Sequence, residues 1–323
     1  MAQVSTVTGS IDTADLGPTL MHEHVFVLSP EIIQNYGDYW DLEERIADAV
    51  AKLNDLASRG IRSIVDPTVI GLGRYLPWVQ QVADQVDVRI VPATGLYTYN
   101  DVPFYFHYRG LVFDTDPDPM VTYFVKDITE GIGDTGVRAG IIKCATDEAG
   151  LTPGVERVLR ACARTHRETG VPITTHTSAA HHRGRDQQRV FEEEGVDLSR
   201  VVIGHSGDST DLDYLRELMD KGSMIGMDRF GIDVLLPFDD RVQVVVDLCQ
   251  QGYADRMVLA HDAACYMDWF TPEVQSAMAP NWHYNHISDD VIPELLSRGV
   301  TQAQVDQMLV DNPRRLFDQT GAY

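Results

Sequence analysis

The sequence predicts an α/β fold, a (β/α)8 TIM barrel built as a single domain over residues 1–323. Three observations predict it. Short apolar runs alternate with helix-periodic segments eight times along the chain. No stretch rich in Gly, Pro or Ser divides it. A length of 323 residues is one that α/β barrels commonly reach undivided.

The first strand is expected at Thr19–Met21. The first helix follows Asp41, which can cap it, with Glu44 three residues later completing a capping box. Leu42, Ile46, Val50, Leu53 and Leu56 form its apolar stripe, and Gly60 ends it. The second strand is the run Ile61–Val65, closed by Asp66-Pro67. A helix near Leu76–Val86 leads to the third strand, Arg89–Gly95. A helix near Pro119–Gly131 leads to the fourth, Gly140–Lys143. Thr152-Pro153 opens a helix carrying Val155, Val158, Leu159 and Cys162 and ending at Gly170. Pro172–His176 follows as strand five. A helix near Asp186–Gly195 precedes Val201–His205. A helix on Leu212, Leu215 and Leu218 precedes Ser223–Asp228. A helix on Val242, Val245 and Leu248 precedes Met257–Asp262, the eighth strand. Such alternation implies parallel strands joined by right-handed crossovers.

The segment Ala263–His286 lacks clear periodicity and holds Trp269, Phe270, Trp282 and Tyr284. Following the last strand, it is expected to lie over the barrel mouth, either as a substrate loop or as a packing insertion.

The net charge of -23 argues against a nucleic-acid partner and against docking on anionic membranes. Cys144, Cys162, Cys249 and Cys265 are scattered without a CxxC pair, which suggests neither a zinc knuckle nor a disulfide framework. No signal-peptide pattern or bilayer-length apolar run is visible, so a cytoplasmic protein is expected.

The residues that carry chemistry stand at strand ends. His22 and His24 are two apart, a spacing that in a strand places both on one face. Lys143, His176, His205 and Asp262 each close a later apolar run. In a barrel the active site lies at the C-terminal ends of the strands, so all six would converge. Imidazole and carboxylate suit zinc and similar borderline dications. An ammonium cannot bridge two cations, but a buried lysine with a lowered pKa can capture carbon dioxide and bridge them as a carbamate. Two divalent ions are therefore expected, zinc first, with iron, cobalt or manganese as alternatives.

The HxH pair, Lys143 in Gly140-Ile-Ile-Lys143, His176 in Thr175-His176-Thr177, His205 in Gly204-His205-Ser206 and Asp262 together resemble the phosphotriesterase family of the amidohydrolase superfamily. The resemblance spans nearly the whole chain, through Asp311–Phe317. The stretches Gly95–Phe104 and Gly226–Gly231 are closer still to its phosphotriesterase-like lactonases, in particular their mycobacterial members. That resemblance implies His22, His24 and Asp262 on the more buried ion, His176 and His205 on the more exposed one, and N6-carboxylated Lys143 as the bridge. Tyr97 matches the lactonase tyrosine and Arg229 the lactonase arginine. The short connection from Phe230 to Asp239 also fits that branch. Asp66-Pro67 departs modestly from the family pattern and is not expected to touch the ions.

The implied reaction is opening of lactones, including N-acyl homoserine lactones, by a hydroxide shared between the ions, with weak phosphotriesterase activity beside it. Asp262 would shuttle the proton, and Tyr97, Arg229, Cys265 and Trp269 would contact substrate. Asp208 would partner Arg229 or cap the following helix. The small-molecule substrate is then a lactone or an organophosphate, and the resemblance implies a homodimer. The alternatives are a dedicated phosphotriesterase, another cyclic ester or amide hydrolase, or a non-catalytic metal-binding barrel. His107, His166, His181, His182, His261, His283 and His286 have no spacing that makes them ligands.

Overall fold

In the computed structural model, which describes residues 2–110, 117–318 and 321–323, the eight apolar runs form one parallel sheet. Its strands are β1 (Thr19–Leu20), β2 (Ser63–Asp66), β3 (Arg89–Gly95), β4 (Ile141–Thr146), β5 (Ile173–Thr177), β6 (Val201–Ile203), β7 (Met224–Met227) and β8 (Met257–Leu259). Neighbours in the sheet follow chain order. The edges meet through Met21 N donating to Leu259 O at 3.2 Å and Asp262 N to His22 O at 3.0 Å, which curls the sheet into a barrel.

Helices α1 (Leu42–Ser58), α2 (Leu76–Ala83), α3 (Pro119–Thr129), α4 (Pro153–Thr169), α5 (Arg183–Glu193), α6 (Leu212–Asp220) and α7 (Phe238–Gln250) connect the successive strands from β1 to β8. Thr152 caps α4 by accepting from Val155 N, and Gly170 closes it in the left-handed conformation at φ 77°. Asp41 caps α1 through Glu44 N at 3.1 Å. The Glu44 carboxylate lies toward Arg45 instead of returning to the cap, so the expected box is made by half. Helix α5 starts three residues earlier than the periodicity indicates, where His182 turns the chain at φ 52°.

Strand alternation divides the apolar side chains into two bodies. Met21, Val65, Val91, Ile141, Val202, Met224 and Val258 fill the barrel lumen, which Val4, Leu16, Leu316 and Phe317 join. Leu20, Ile64, Ile90, Ile142, Ile203, Ile225 and Leu259 pack outward against the helices. The period-two pattern thus fixes which residues can reach the mouth from inside.

The segment after β8 is more ordered than its sequence suggests. Ala264–Met267 is a strand paired in parallel with His24–Val27, and Pro272–Met278 is a helix capped by Thr271. A two-stranded patch this short carries too few residues for periodicity to reveal it. No helix among the described residues is long and apolar enough to cross a membrane.

Candidate metal centre

Lys143 stands two residues after lumen-facing Ile141, so β4 delivers its side chain inward. It is 1% exposed, and its Nζ lies 3.1 Å from His22 Nε2. Gly95 makes room for this close packing of β3 on β4: at φ +135°, a Cβ there would meet Lys143 O at 1.9 Å. Burial lowers the Lys143 amine to about 8, which favours the neutral form that carbon dioxide needs.

His22 and His24 reach the same centre by another route than the one their spacing suggests. Met21 faces the lumen, so a regular strand would turn both histidines outward. Regular pairing instead stops at Leu20 and resumes with the Ala264–Met267 strand at His24. In that break His22 Nε2 comes within 3.3 Å of Asp262 Oδ1, and His24 Nε2 within 3.2 Å of the same atom.

His205 and Asp262 follow β6 and β8 and adopt left-handed backbone, at φ 57° and 58°. This conformation is costly for non-glycine residues and typical of functional turns. It swings His205 inward although Ile203 faces the helices, placing Nε2 3.7 Å from Asp262 Oδ2. Ligand atoms of His22, His205 and Asp262 all lie within 4.8 Å of one another. That trio joins residues expected on different ions, with Asp262 between them.

Carboxylates behind the histidines orient them. Asp228 accepts from His205 Nδ1 at 3.0 Å and His22 Nδ1 at 3.1 Å. Thr68 Oγ1, itself bonded to Asp66, lies 2.8 Å from His24 Nδ1. Asp66 Oδ1 also lies 3.6 Å from His24 Nδ1, so Asp66 supports that imidazole from behind both directly and through Thr68. Asp147 Oδ2 lies 2.5 Å from His176 Nε2, leaving Nδ1 facing Tyr97 OH at 3.3 Å. Anchoring one nitrogen of each imidazole leaves the other free as a lone-pair donor, the arrangement metal-binding histidines use. Burial holds His22, His176 and His205 below the usual imidazole range, His176 to about 4. For His24, burial is outweighed by Asp262 and Asp66, which raise it to about 9. Burial opposes charge on Asp262, but His205, His22, His24 and Arg229 overcome it and keep the carboxylate ionised. Three imidazoles held neutral, a fourth whose proton a metal ion would displace, one carboxylate and a weakly basic amine fit a divalent metal pair.

Arg229 Nε donates to Asp262 Oδ2 and Nη1 to Asp208 Oδ2, both at 3.0 Å. Asp208 also accepts from Arg241, which is fully buried, at 2.8 Å. Asp211 caps α6, so Asp208 serves Arg229. Tyr97 lies over His176 and bonds Tyr99 OH. Burial keeps its phenol well above the ordinary range, hence protonated.

A cavity of about 190 Å³ opens above these groups. Its polar floor includes His22, Lys143, His205, Arg229 and Asp262, and Leu72, Ile232, Met267, Trp269, Phe270 and Trp282 form apolar walls. Trp269, expected to contact substrate, is among the residues lining this cavity. Cys265 does not: its Sγ lies 3.3 Å from Tyr284 OH, and it lines a separate cleft with Lys52 and Glu44. Cys265 and Met267 share one face of the Ala264–Met267 strand, but only Met267, two residues further along, reaches the cavity, while the contact with Tyr284 keeps Cys265 in the neighbouring cleft. His166 and His261 are buried and bonded to Val171 O and Glu23 respectively, and His182 is half-buried, stacked on Tyr214.

A model of the phosphotriesterase family matches residues 2–317. The phosphotriesterase homology protein of Mycobacterium tuberculosis is 60% identical over 325 residues, covering 100% of both chains. A solved structure of the phosphotriesterase from Mycobacterium tuberculosis superposes with a TM-score of 0.98 at 60% identity, covering 99% of this chain and 100% of that one. A multiply substituted PTE-like lactonase from Deinococcus radiodurans superposes at a TM-score of 0.90 and 36% identity, covering 97% of this chain and 99% of that one.

Proposed function

The chain belongs to the phosphotriesterase family of metal-dependent hydrolases, which use a binuclear divalent metal centre, and from this we propose that it is a lactonase opening N-acyl homoserine and related lactones. The observation that carries the reading is the cavity's division into a polar floor and apolar walls. A lactone ring needs a small polar head site and its acyl tail an apolar channel. Weak phosphotriester hydrolysis is the expected side activity. A second reading, a dedicated phosphotriesterase, draws support from the likeness to the phosphotriesterase from Mycobacterium tuberculosis.

His22, His24, His176, His205, Asp262 and carboxylated Lys143 would hold two divalent ions, zinc foremost. When bound, such ions lower the pKa of water and draw charge from the ester carbonyl. Asp262 accepts the proton of the attacking water and returns it to the departing ring oxygen. Arg229 holds Asp262 by one oxygen, which keeps the carboxylate anionic and fixed. The protonated Tyr97 phenol donates a hydrogen bond toward the substrate carbonyl end. Trp269 and Phe270 close over the acyl chain, excluding water.

The test is kcat/KM for a medium-chain N-acyl homoserine lactone against an aryl dialkyl phosphotriester on one metal-loaded preparation. We expect a preference for the lactone of at least ~10²-fold. A preference for the phosphotriester would install the second reading.

Lysine carboxylation makes its own prediction. Lys143→Met keeps the volume but cannot form a carbamate, so metal-free variant protein is expected to take up at most about half the zinc of wild type. Added bicarbonate should speed zinc uptake by wild type and leave the variant unchanged. Elemental analysis after desalting reads both. Equal uptake by the two proteins would remove Lys143 from the ligand set.

We also propose a single domain, a homodimer and a cytoplasmic location. All four cysteines are free, which suits a reducing compartment.

A further inference from the structure

Glu23 lies between two of the proposed ligands yet contributes to neither of the roles described so far. Its side chain is fully buried, 0% exposed. Oε1 accepts from His261 N at 2.8 Å and from His261 Nδ1 at 2.6 Å, and Oε2 accepts from Ala263 N at 3.0 Å. The two backbone donors flank Asp262. Ile287 N donates to His261 Nε2 at 2.9 Å, so the His261 proton sits on Nδ1 and points at Glu23. All three hydrogens therefore come from the partners, and both carboxylate oxygens act as acceptors.

Asp262 itself stands at φ 58°, a conformation that a residue with a Cβ keeps only where its surroundings enforce it. Glu23 thus holds the 260–261 and 262–263 peptides, and the 261–262 peptide between them is held by Asp262 N donating to His22 O at 3.0 Å. The other left-handed ligand is held similarly: Asp228 accepts from His205 N at 2.7 Å.

We infer that Glu23 is a positioning residue, whose buried carboxylate pins the strained turn at residues 261–263 and thereby aims the Asp262 carboxylate at the metal centre. Glu23 touches no reacting atom in this scheme. The inference rests on Asp262 being a metal ligand, and metal binding rather than turnover tests it, so it is independent of lactone specificity.

The experiment is a double-mutant cycle in zinc affinity, with zinc titrated into metal-free full-length protein against a chromophoric chelator. Glu23→Gln preserves shape but sets an amide N–H2 against a backbone or imidazole donor. It is expected to weaken zinc binding at least ~10-fold. Asp262→Gly removes the carboxylate and relieves the backbone. In that background Glu23→Gln should cost less than ~3-fold more, because the group it positions is gone. A loss below tenfold in the single variant, or threefold or more in the glycine background, overturns the inference. Wild-type affinity in Asp262→Gly overturns it at its premise by removing Asp262 from the ligand set. Should Glu23→Gln not fold, Glu23→Asp takes its place in the cycle with the same expectations. It keeps the charge but is one methylene too short to reach both donors.

Discussion

Asp262→Asn is expected to lower kcat/KM for lactones by about 10²–10⁴-fold while the protein stays folded. Asparagine fits the same space and, among residues with a Cβ, tolerates the left-handed backbone best, so φ 58° is kept. What is lost is the proton acceptor. The carboxylate now takes hydrogen bonds from His24 and Arg229. An amide can still accept from one of them through its oxygen, but it cannot carry the proton of an attacking water to a leaving alkoxide. Zinc content by elemental analysis, run beside the kinetics, separates the causes. Lost turnover with zinc retained assigns Asp262 to proton transfer. Lost zinc assigns it to ligation, with the rate falling as a consequence. Unchanged turnover would remove Asp262 from the chemistry. If the unmodified protein opens no ester at all, a non-catalytic metal-binding barrel becomes the better description.

The barrel was legible because most strands carry a short apolar run bounded by turn residues, as buried parallel strands do; β5, with Ile173 alone apolar among its five residues, is the exception. The inward placement of Lys143 and His176 was legible for a related reason. Both lie on the regular alternation of strands whose other members fill the lumen or pack outward. His22 and His24 were found by their spacing and His205 by its place after an apolar run, but the reason they converge was hidden. The pairing break after Leu20 and the left-handed turn at His205 each reverse the face that a period of two would assign. Backbone conformation at single residues is a tertiary outcome, and no local pattern encodes it.

The supporting carboxylates divide similarly. Asp228 carried a usable signal: it stands four residues after lumen-facing Met224, with Gly226 between. Extending the alternation by two residues would have placed it inward. Glu23, Asp147 and Arg241 carried none, because their partners lie 238, 29 and 33 residues away along the chain. Cys265 was misplaced for the opposite reason. Proximity to Asp262 in sequence suggested the cavity, whereas Cys265 stops short of it, two residues before cavity-lining Met267 on the same strand face and held against Tyr284.

Asp228→Asn tests the orienting layer with the second largest expected effect. Asp228 accepts three hydrogen bonds, from His205 N, His205 Nδ1 and His22 Nδ1. The asparagine oxygen can keep the two from His205, which both fall on Oδ1. Its N–H2 then takes the Oδ2 position, 3.1 Å from His22 Nδ1, and must donate there. His22 answers by moving its own proton to Nε2, the nitrogen that faces Lys143 and Asp262. That nitrogen then has no lone pair for a metal. Zinc affinity should fall about 10–100-fold, the range found when partners of metal-binding histidines are removed. Stability of the metal-free protein should change far less, because both hydrogen bonds from His205 persist and the one to His22 is reversed in direction, not lost. Zinc titration and thermal melting of metal-free protein measure the two quantities. Large losses of both would mean that Asp228 holds the barrel mouth together as a whole. A loss of zinc affinity alone would locate its effect in the choice of nitrogen that His22 presents.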